Sequence, residues 1–260
     1  MSAFDDRLQR RVLGLQVRLY ACCARLSAGT DGEALHDLRI ALRRLASLLR
    51  PLRREPLCAA LEQAVTVLNR ASGPLRDIEV LAHELEAQGL SGPAALRRDC
   101  LAEAYVELLA GVPLRGLMVR LDEWPEDCRQ ARRHGQWRAR GKRVARHLDR
   151  LARKLAMALR DPAHDRHRLR LLIKRLRYCA EAWPAYYQLE PARLRSLRRA
   201  QAALGHWHDH WQWLQRLEIE TDLGPCAGIW RQRLLDAERE ADLALLELCE
   251  FFPQVPAQSR

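Results

Sequence analysis

Apolar residues recur along this chain at intervals of three and four, with almost no alternation of β-branched positions, and glycine and proline cluster at sparse points between the runs. That pattern predicts an all-α protein. A first helix covers about residues 4–27, and Thr30 with Glu33 three positions on matches a capping box opening a second, which ends near residues 51–54. Pro56 suits the first turn of a third helix, stopping at Ser72-Gly73-Pro74; a fourth covers 75–88, and a fifth begins after Ser91-Gly92-Pro93 and ends at Gly111. A short segment follows around residues 113–124. After Trp124-Pro125 the pattern starts again, with a long basic helix over 136–160 and then one capped by Asp161, with Pro162 at its first helical position, that Pro184 kinks or ends. Segments 191–204, 206–222 and 225–252 complete the set.

Two of these helices carry the same charge pattern. His36-Asp37-Leu38-Arg39-Ile40-Ala41-Leu42-Arg43-Arg44-Leu45 and His167-Arg168-Leu169-Arg170-Leu171-Leu172-Ile173-Lys174-Arg175-Leu176 align without a gap. At about 100° per residue, His36, Arg39, Arg43 and Arg50 share one face, and Leu38, Leu42, Leu45, Leu49 and Leu52 lie opposite. His167, Arg170, Lys174 and Arg177 repeat the arrangement against Leu169, Leu172, Ile173, Leu176 and Ala180. Like charges at helical spacing cost about 0.2–0.5 kcal/mol per pair, and a bound polyanion offsets that cost. A Gly-x-x-basic-Asp element then recurs 41 or 42 residues after each stripe histidine, ending at Asp77 and Asp209. Two tandem helical bundles related by internal duplication account for both repeats economically, with repeat 1 at about 4–124, repeat 2 at about 125–252 and a tail at 253–260.

Composition sharpens the picture. The 260 residues suffice for one large or two small cores, and 44 basic against 33 acidic residues leave a net charge of +11, which points to an acidic partner. Only Lys142, Lys154 and Lys174 are lysine. Arginine, with its planar fork of donors, grips phosphate oxygens in pairs. Eight cysteines show no Cys-x-x-Cys spacing and read as reduced core residues. With no apolar run of membrane-spanning length and no secretion signal, the expected setting is cytoplasmic.

The chain resembles the CHAD family, the conserved histidine α-helical domain, over about residues 4–252. The resemblance rests on His-x-x-Arg-x-x-x-Arg-Arg at His36 to Arg44, His-x-x-Arg-x-x-x-Lys-Arg-Leu-Arg-Tyr at His167 to Tyr178, and Leu-Gly-x-x-x-Asp at Leu204 to Asp209 preceded by Gln201. It implies two four-helix bundles about a pseudo-twofold axis whose basic helices line a shared central groove binding inorganic polyphosphate, and association with polyphosphate granules. The anion ligands it carries over are His36, Arg39, Arg43 and Arg50 in the first half and His167, Arg170, Lys174 and Arg177 in the second. Arg44, Arg175 and Arg76 extend the two faces, as do Arg195, Arg198 and Arg199 on the following helix. The positions aligned with those last three are Gln63, Thr66 and Val67, so the basic surface is expected to be lopsided. Arg76 is matched by His208, while Asp77 and Asp209 are expected to brace or cap.

Three rival readings follow from the same residues. Nonspecific nucleic-acid binding uses the same charge, but single-strand binders add stacking aromatics, and only Tyr178 falls near a stripe; Trp207, Trp211 and Trp213 are expected in the core. His206 and His210 share a helical face as zinc ligands do, with His208 and Asp209 nearby, yet two ligands do not complete a metal site. Glu218-Ile219-Glu220-Thr221-Asp222 imitates the Glu-x-Glu-x-Lys strand of related triphosphatases but ends in aspartate and reads as helix, so no catalysis and no cofactor are expected. The further basic run at Arg129, Arg132, Arg133, Arg138, Arg140, Lys142, Arg143, Arg146, Arg150 and Lys154 is a second polyanion contact or a solvated face. Protonation of the stripe histidines predicts tighter binding below about pH 6.5.

Overall fold

The computed structural model describes residues 3–135, 141–163 and 165–252. Among these residues every regular element is helical: α1 (Ala3–Ala28), α2 (Ala34–Leu49), α3 (Pro56–Ala87), α4 (Ser91–Ala110), α5 (Val112–Arg133), α6 (Gly141–Ala158), α7 (Arg166–Ala182), α8 (Pro191–Arg216) and α9 (Ala227–Glu250), with 3-10 turns at Arg50–Leu52 and Thr221–Cys226. The chain divides into two compact units, Met1–Val144 and Ala145–Arg260, with α6 straddling the division. In the first, α2 packs between α1 and α3, and α3 also packs against α4 and α5. In the second, α8 packs between α7 and α9.

The leucine faces opposite the stripes are the floors of these units. Leu38, Leu42, Leu45, Leu49 and Leu52 are fully buried, as are Ile173 and Leu176, with Leu169, Leu172 and Ala180 nearly so. Each buried leucine contributes about 1.5–3 kcal/mol of transfer free energy, so these faces fix which side of α2 and α7 can meet solvent. Trp124 anchors the first unit, and Trp183 and Trp230 the second.

Several expected boundaries shift. The Thr30–Glu33 capping box does not form: Glu33 is the N-cap residue of α2 with no side-chain cap, and its N–H donates instead to Asp31 Oδ1 at 2.8 Å. Arg25 holds Asp31 and also reaches Asp37 Oδ2 at 2.7 Å, tying the end of α1 to the start of α2. The helices expected at 56–74 and 75–88 are one helix, α3, running through Pro74. Proline removes one intrahelical donor and crowds the preceding turn, and two carbonyls just before it accept side-chain donors. Ser72 Oγ donates to Leu68 O at 2.9 Å, and Arg39 Nη1 to Asn69 O at 3.0 Å.

The short segment expected around 113–124 belongs to the long helix α5, which continues through Pro125 with Leu114, Leu117, Leu121, Trp124 and Cys128 on its buried side. Its apolar period outweighs the proline. The cap of α7 is Asp165 rather than Asp161, whose carboxylate accepts the nearby Ala163 N–H. Segments 191–204 and 206–222 join as α8, because Gly205 lies where the helix period is unbroken; α8 ends at Arg216, so the Glu218–Asp222 string is not α-helix but runs from a turn into the 3-10 segment Thr221–Cys226. The start of the helix expected at 136, with Arg138 and Arg140, lies outside the described residues, as do His164 and the tail. Cys100 is exposed, unlike the five cysteines that are buried: Cys22, Cys58, Cys128, Cys179 and Cys226. Burial pushes the Cys128 thiol up to about 12, which keeps it an unreactive core group.

Candidate polyanion-binding site

In the first unit α2 and α3 run antiparallel, so that His36 lies against Arg76 and Arg50 against Glu62. Arg39 reaches across to α3, where Nη1 donates to Asn69 O and to Ser72 Oγ, each at 3.0 Å. Burial and then Arg43 lower the Arg39 pKa, with Arg76 adding to the effect and Asp77 and Glu79 opposing it. Arginine stays charged throughout; the shift measures how poorly these surroundings tolerate another cation. Burial, followed by Arg76, also holds the His36 imidazole below its usual range. Arg76 is positioned by Glu79 at 2.8 Å, and the other Glu79 oxygen accepts from the Tyr105 hydroxyl. Arg43 is half-buried and Arg44 exposed, while Arg50 pairs with Glu62 at 3.1 Å.

In the second unit other side chains stand beside the stripe. Asp165 accepts the backbone N–H of His167 at 2.8 Å, fixing the first turn of α7 and the origin of its stripe. α8 runs antiparallel to α7, and the His208 ring centroid lies 5.3 Å from that of His167. Burial, followed by Arg170, His167 and Lys174, pushes the His208 pKa down to about 4. At the other end of α7, Arg177 donates through Nε to Gln201 Oε1 at 2.8 Å and through Nη1 to Glu181 at 2.7 Å, with its guanidinium 4.1 Å above the Tyr178 ring centroid. Arg198 also reaches Glu181, at 3.4 Å, and Arg199 pairs with Glu247. Arg175 and Arg195 are exposed.

Each Gly-x-x-basic-Asp element thus delivers its basic residue to the stripe of its own unit: Arg76 to His36 and Arg39, His208 to His167, Arg170 and Lys174. Asp77 favours the Arg39 charge. What can bind here is a ligand rich in negative oxygens that accepts several N–H donors at once. The far ends, at Arg50 and Arg177, already satisfy part of their donor capacity on Glu62, Glu181 and Gln201. Glu181 therefore competes with any anion for Arg177 and Arg198. The substitution Glu181→Gln is expected to strengthen polyanion binding about two- to fivefold, the scale of a partly exposed ion pair, as read by titration calorimetry; unchanged or weaker binding would place Arg177 and Arg198 outside the contact.

Other candidate features fall differently. A cleft of about 890 Å³ opens behind Arg76, lined largely by apolar groups such as Leu26, Val80, Leu101 and Leu109, and its lining suits an apolar group better than a polyanion. His210 turns Nδ1 to His206 O at 2.7 Å and packs edge-on against Trp213, while His208 lies against His167, so these two rings have different neighbours. Trp213 is core, as expected, against Trp230. Trp211 is not: it is 43% exposed. Its ring, like that of Trp207, lies 6.1 Å from His208, which adjoins His167. Aromatic groups near the second stripe are therefore not confined to Tyr178. The signal in the sequence was the i, i+4 spacing of Trp207 and Trp211 around His208. On α6, Val144, Leu148, Leu151 and Leu155 form a narrow buried row, and the basic residues lie on the outer side, where Arg143 pairs with the buried Glu55.

No helix among the described residues is long and apolar enough to cross a membrane. No curated protein matches this chain. The crystal structure of the CHAD domain from the plant Ricinus communis is similar, with a TM-score of 0.74 and 22% sequence identity over 98% of this chain and 93% of that one; at this identity the likeness is one of fold. The family profile of the CHAD domain matches residues 13–218, a span that contains both stripes and both Gly-x-x-basic-Asp elements. With that match over most of its length, the chain belongs to the CHAD-domain family.

Proposed function

We propose that this chain binds inorganic polyphosphate through its two basic stripes, without cleaving it, and that binding targets the protein to polyphosphate granules. In this reading the two units descend from one duplicated helical bundle, each presenting one stripe. The observation that carries the proposal is the crowding of cations in both units. His36, Arg39, Arg43 and Arg76 oppose one another's charge, as do His167, Arg170, Lys174 and His208. Bringing like charges together around partly exposed donors costs free energy in the unliganded protein, and a polyphosphate chain recovers it by charge-assisted hydrogen bonds. Membership of the CHAD family, associated with polyphosphate binding in general, favours this polymer over nucleic acid. In this reading the stripe side chains serve as donors to phosphate oxygens, and the role is binding.

Competition tests the reading. Labelled long-chain polyphosphate is displaced by duplex DNA, single-stranded RNA or free phosphate at several salt concentrations, while released phosphate is followed in parallel. Polyphosphate is expected to rank first at equal phosphate, with all affinities falling as salt rises, and no phosphate is expected to be released. DNA outcompeting polyphosphate would overturn the choice of polymer, and steady phosphate release would overturn the non-catalytic role.

A further inference from the structure

The second unit differs from the first in what stands beside its stripe. His208 is flanked on α8 by two indoles, Trp207 and Trp211, whose ring centroids are 6.4 Å apart with planes only 24° from parallel. The His208 ring is also nearly parallel to Trp211, at 14°. Trp211 is 43% exposed, an unusual position for so large an apolar ring, and it does not complete the core, a task that Trp213 and Trp230 perform. His208 Nδ1 is buried without a hydrogen-bond partner. His208 also stands 5.3 Å, ring centroid to ring centroid, from His167, and within electrostatic reach of Arg170 and Lys174. The corresponding place in the first unit holds Arg76 with Glu79 and Tyr105, and among the described residues no indole stands beside them. An exposed aromatic face next to a cluster of phosphate-binding cations matches a ligand with a planar heterocycle at one end and phosphates at the other.

We propose that the second unit binds a nucleoside polyphosphate, its phosphates on His167, Arg170 and Lys174 and its base stacked on Trp211, with Trp207 supporting that indole. The proposal rests on the reading that the second stripe holds phosphate groups. Base–indole stacking tolerates any base and adds to affinity independently of charge. Tripolyphosphate carries at least as much charge as the triphosphate of ATP, so a preference for ATP cannot come from electrostatics.

The test titrates the full chain with ATP, inorganic tripolyphosphate, long-chain polyphosphate and an oligouridylate, without divalent cations, for the wild type, Trp211→Ala and Trp211→Tyr. ATP is expected to bind about tenfold more tightly than tripolyphosphate, the scale of one stacked base. Trp211→Ala removes that preference while leaving tripolyphosphate and long-chain polyphosphate unchanged, and Trp211→Tyr restores most of it. ATP binding no tighter than tripolyphosphate, or Trp211→Ala weakening all ligands alike, would overturn the proposal. So would oligouridylate losing affinity on Trp211→Ala while ATP does not, which would assign the indoles to single-stranded nucleic acid. Failure of long-chain polyphosphate to bind the wild type would instead remove the phosphate-binding reading, and the two failures are read from different arms.

Discussion

Replacing Arg170 and Lys174 together by glutamate is expected to weaken long-chain polyphosphate binding about 1,000-fold. A hydrogen bond to a charged group contributes about 1.5–3 kcal/mol, and two such contacts at about 2 kcal/mol each correspond to about three decades in affinity. Both side chains lie on the partly exposed side of α7, away from Leu169, Leu172 and Ile173. Glutamate is as good a helix former as lysine or arginine, so circular dichroism should record unchanged helicity. Arg39 is a poorer target, because its guanidinium braces α3 beside Pro74 and its loss would mix folding with binding. Calorimetry giving an affinity within a few-fold of wild type for the double variant would show that the second stripe is not the site.

The second large effect concerns acid. The folded pKa of His208, about 4, lies below the ordinary histidine value of 6.5, so the unfolded chain takes up this proton first as pH falls. The stability that neutral His208 contributes is complete above pH 6.5 and is lost as pH falls towards 4. Allowing for solvent screening of a half-buried ring, the loss is about 1–2 kcal/mol. Wild type should therefore lose that much more stability between neutral pH and the low end of this window than His208→Gln does, as followed by denaturant unfolding. Saturating polyphosphate should remove the difference, because phosphate oxygens beside Arg170 and Lys174 favour the imidazolium. Identical acid sensitivity in the two proteins would contradict the placement of His208 among these cations. His36 shifts in the same direction, so binding should tighten below the ordinary histidine range, at lower pH than an unperturbed imidazole implies.

The stripes and their leucine faces were legible because α2 and α7 are amphipathic at helical period, and burial follows that period residue by residue. Element boundaries were less legible wherever proline or glycine interrupted the pattern. Pro74, Pro125 and Gly205 all lie inside helices, since the apolar row continues across them and packing compensates the local cost. Just before Pro74 the Asn69 carbonyl accepts from Arg39 on another helix, and local sequence holds no trace of that contact. The site residues divide in the same way. The candidates His36, Arg39, His167 and Arg170 come from spacing alone, and Glu79 lies three residues from Arg76 on the same helix, whereas Tyr105 and Glu62 become relevant only through contacts between helices. Trp211 was misplaced because tryptophan ordinarily signals a core, and only the packing of α8 reveals that its ring is left exposed.

The central claim is that phosphate groups sit on the stripe cations, and the salt dependence of binding reads those contacts directly. Affinity for long-chain polyphosphate is measured across a range of salt concentrations for the wild type and for the Arg170→Glu, Lys174→Glu double variant. Each phosphate contact contributes about 0.7–0.9 to the slope of log affinity against log salt, so the wild type should show a steep linear fall and the variant a slope shallower by about 1.5. Equal slopes in the two proteins, or a wild-type affinity indifferent to salt, would contradict the account.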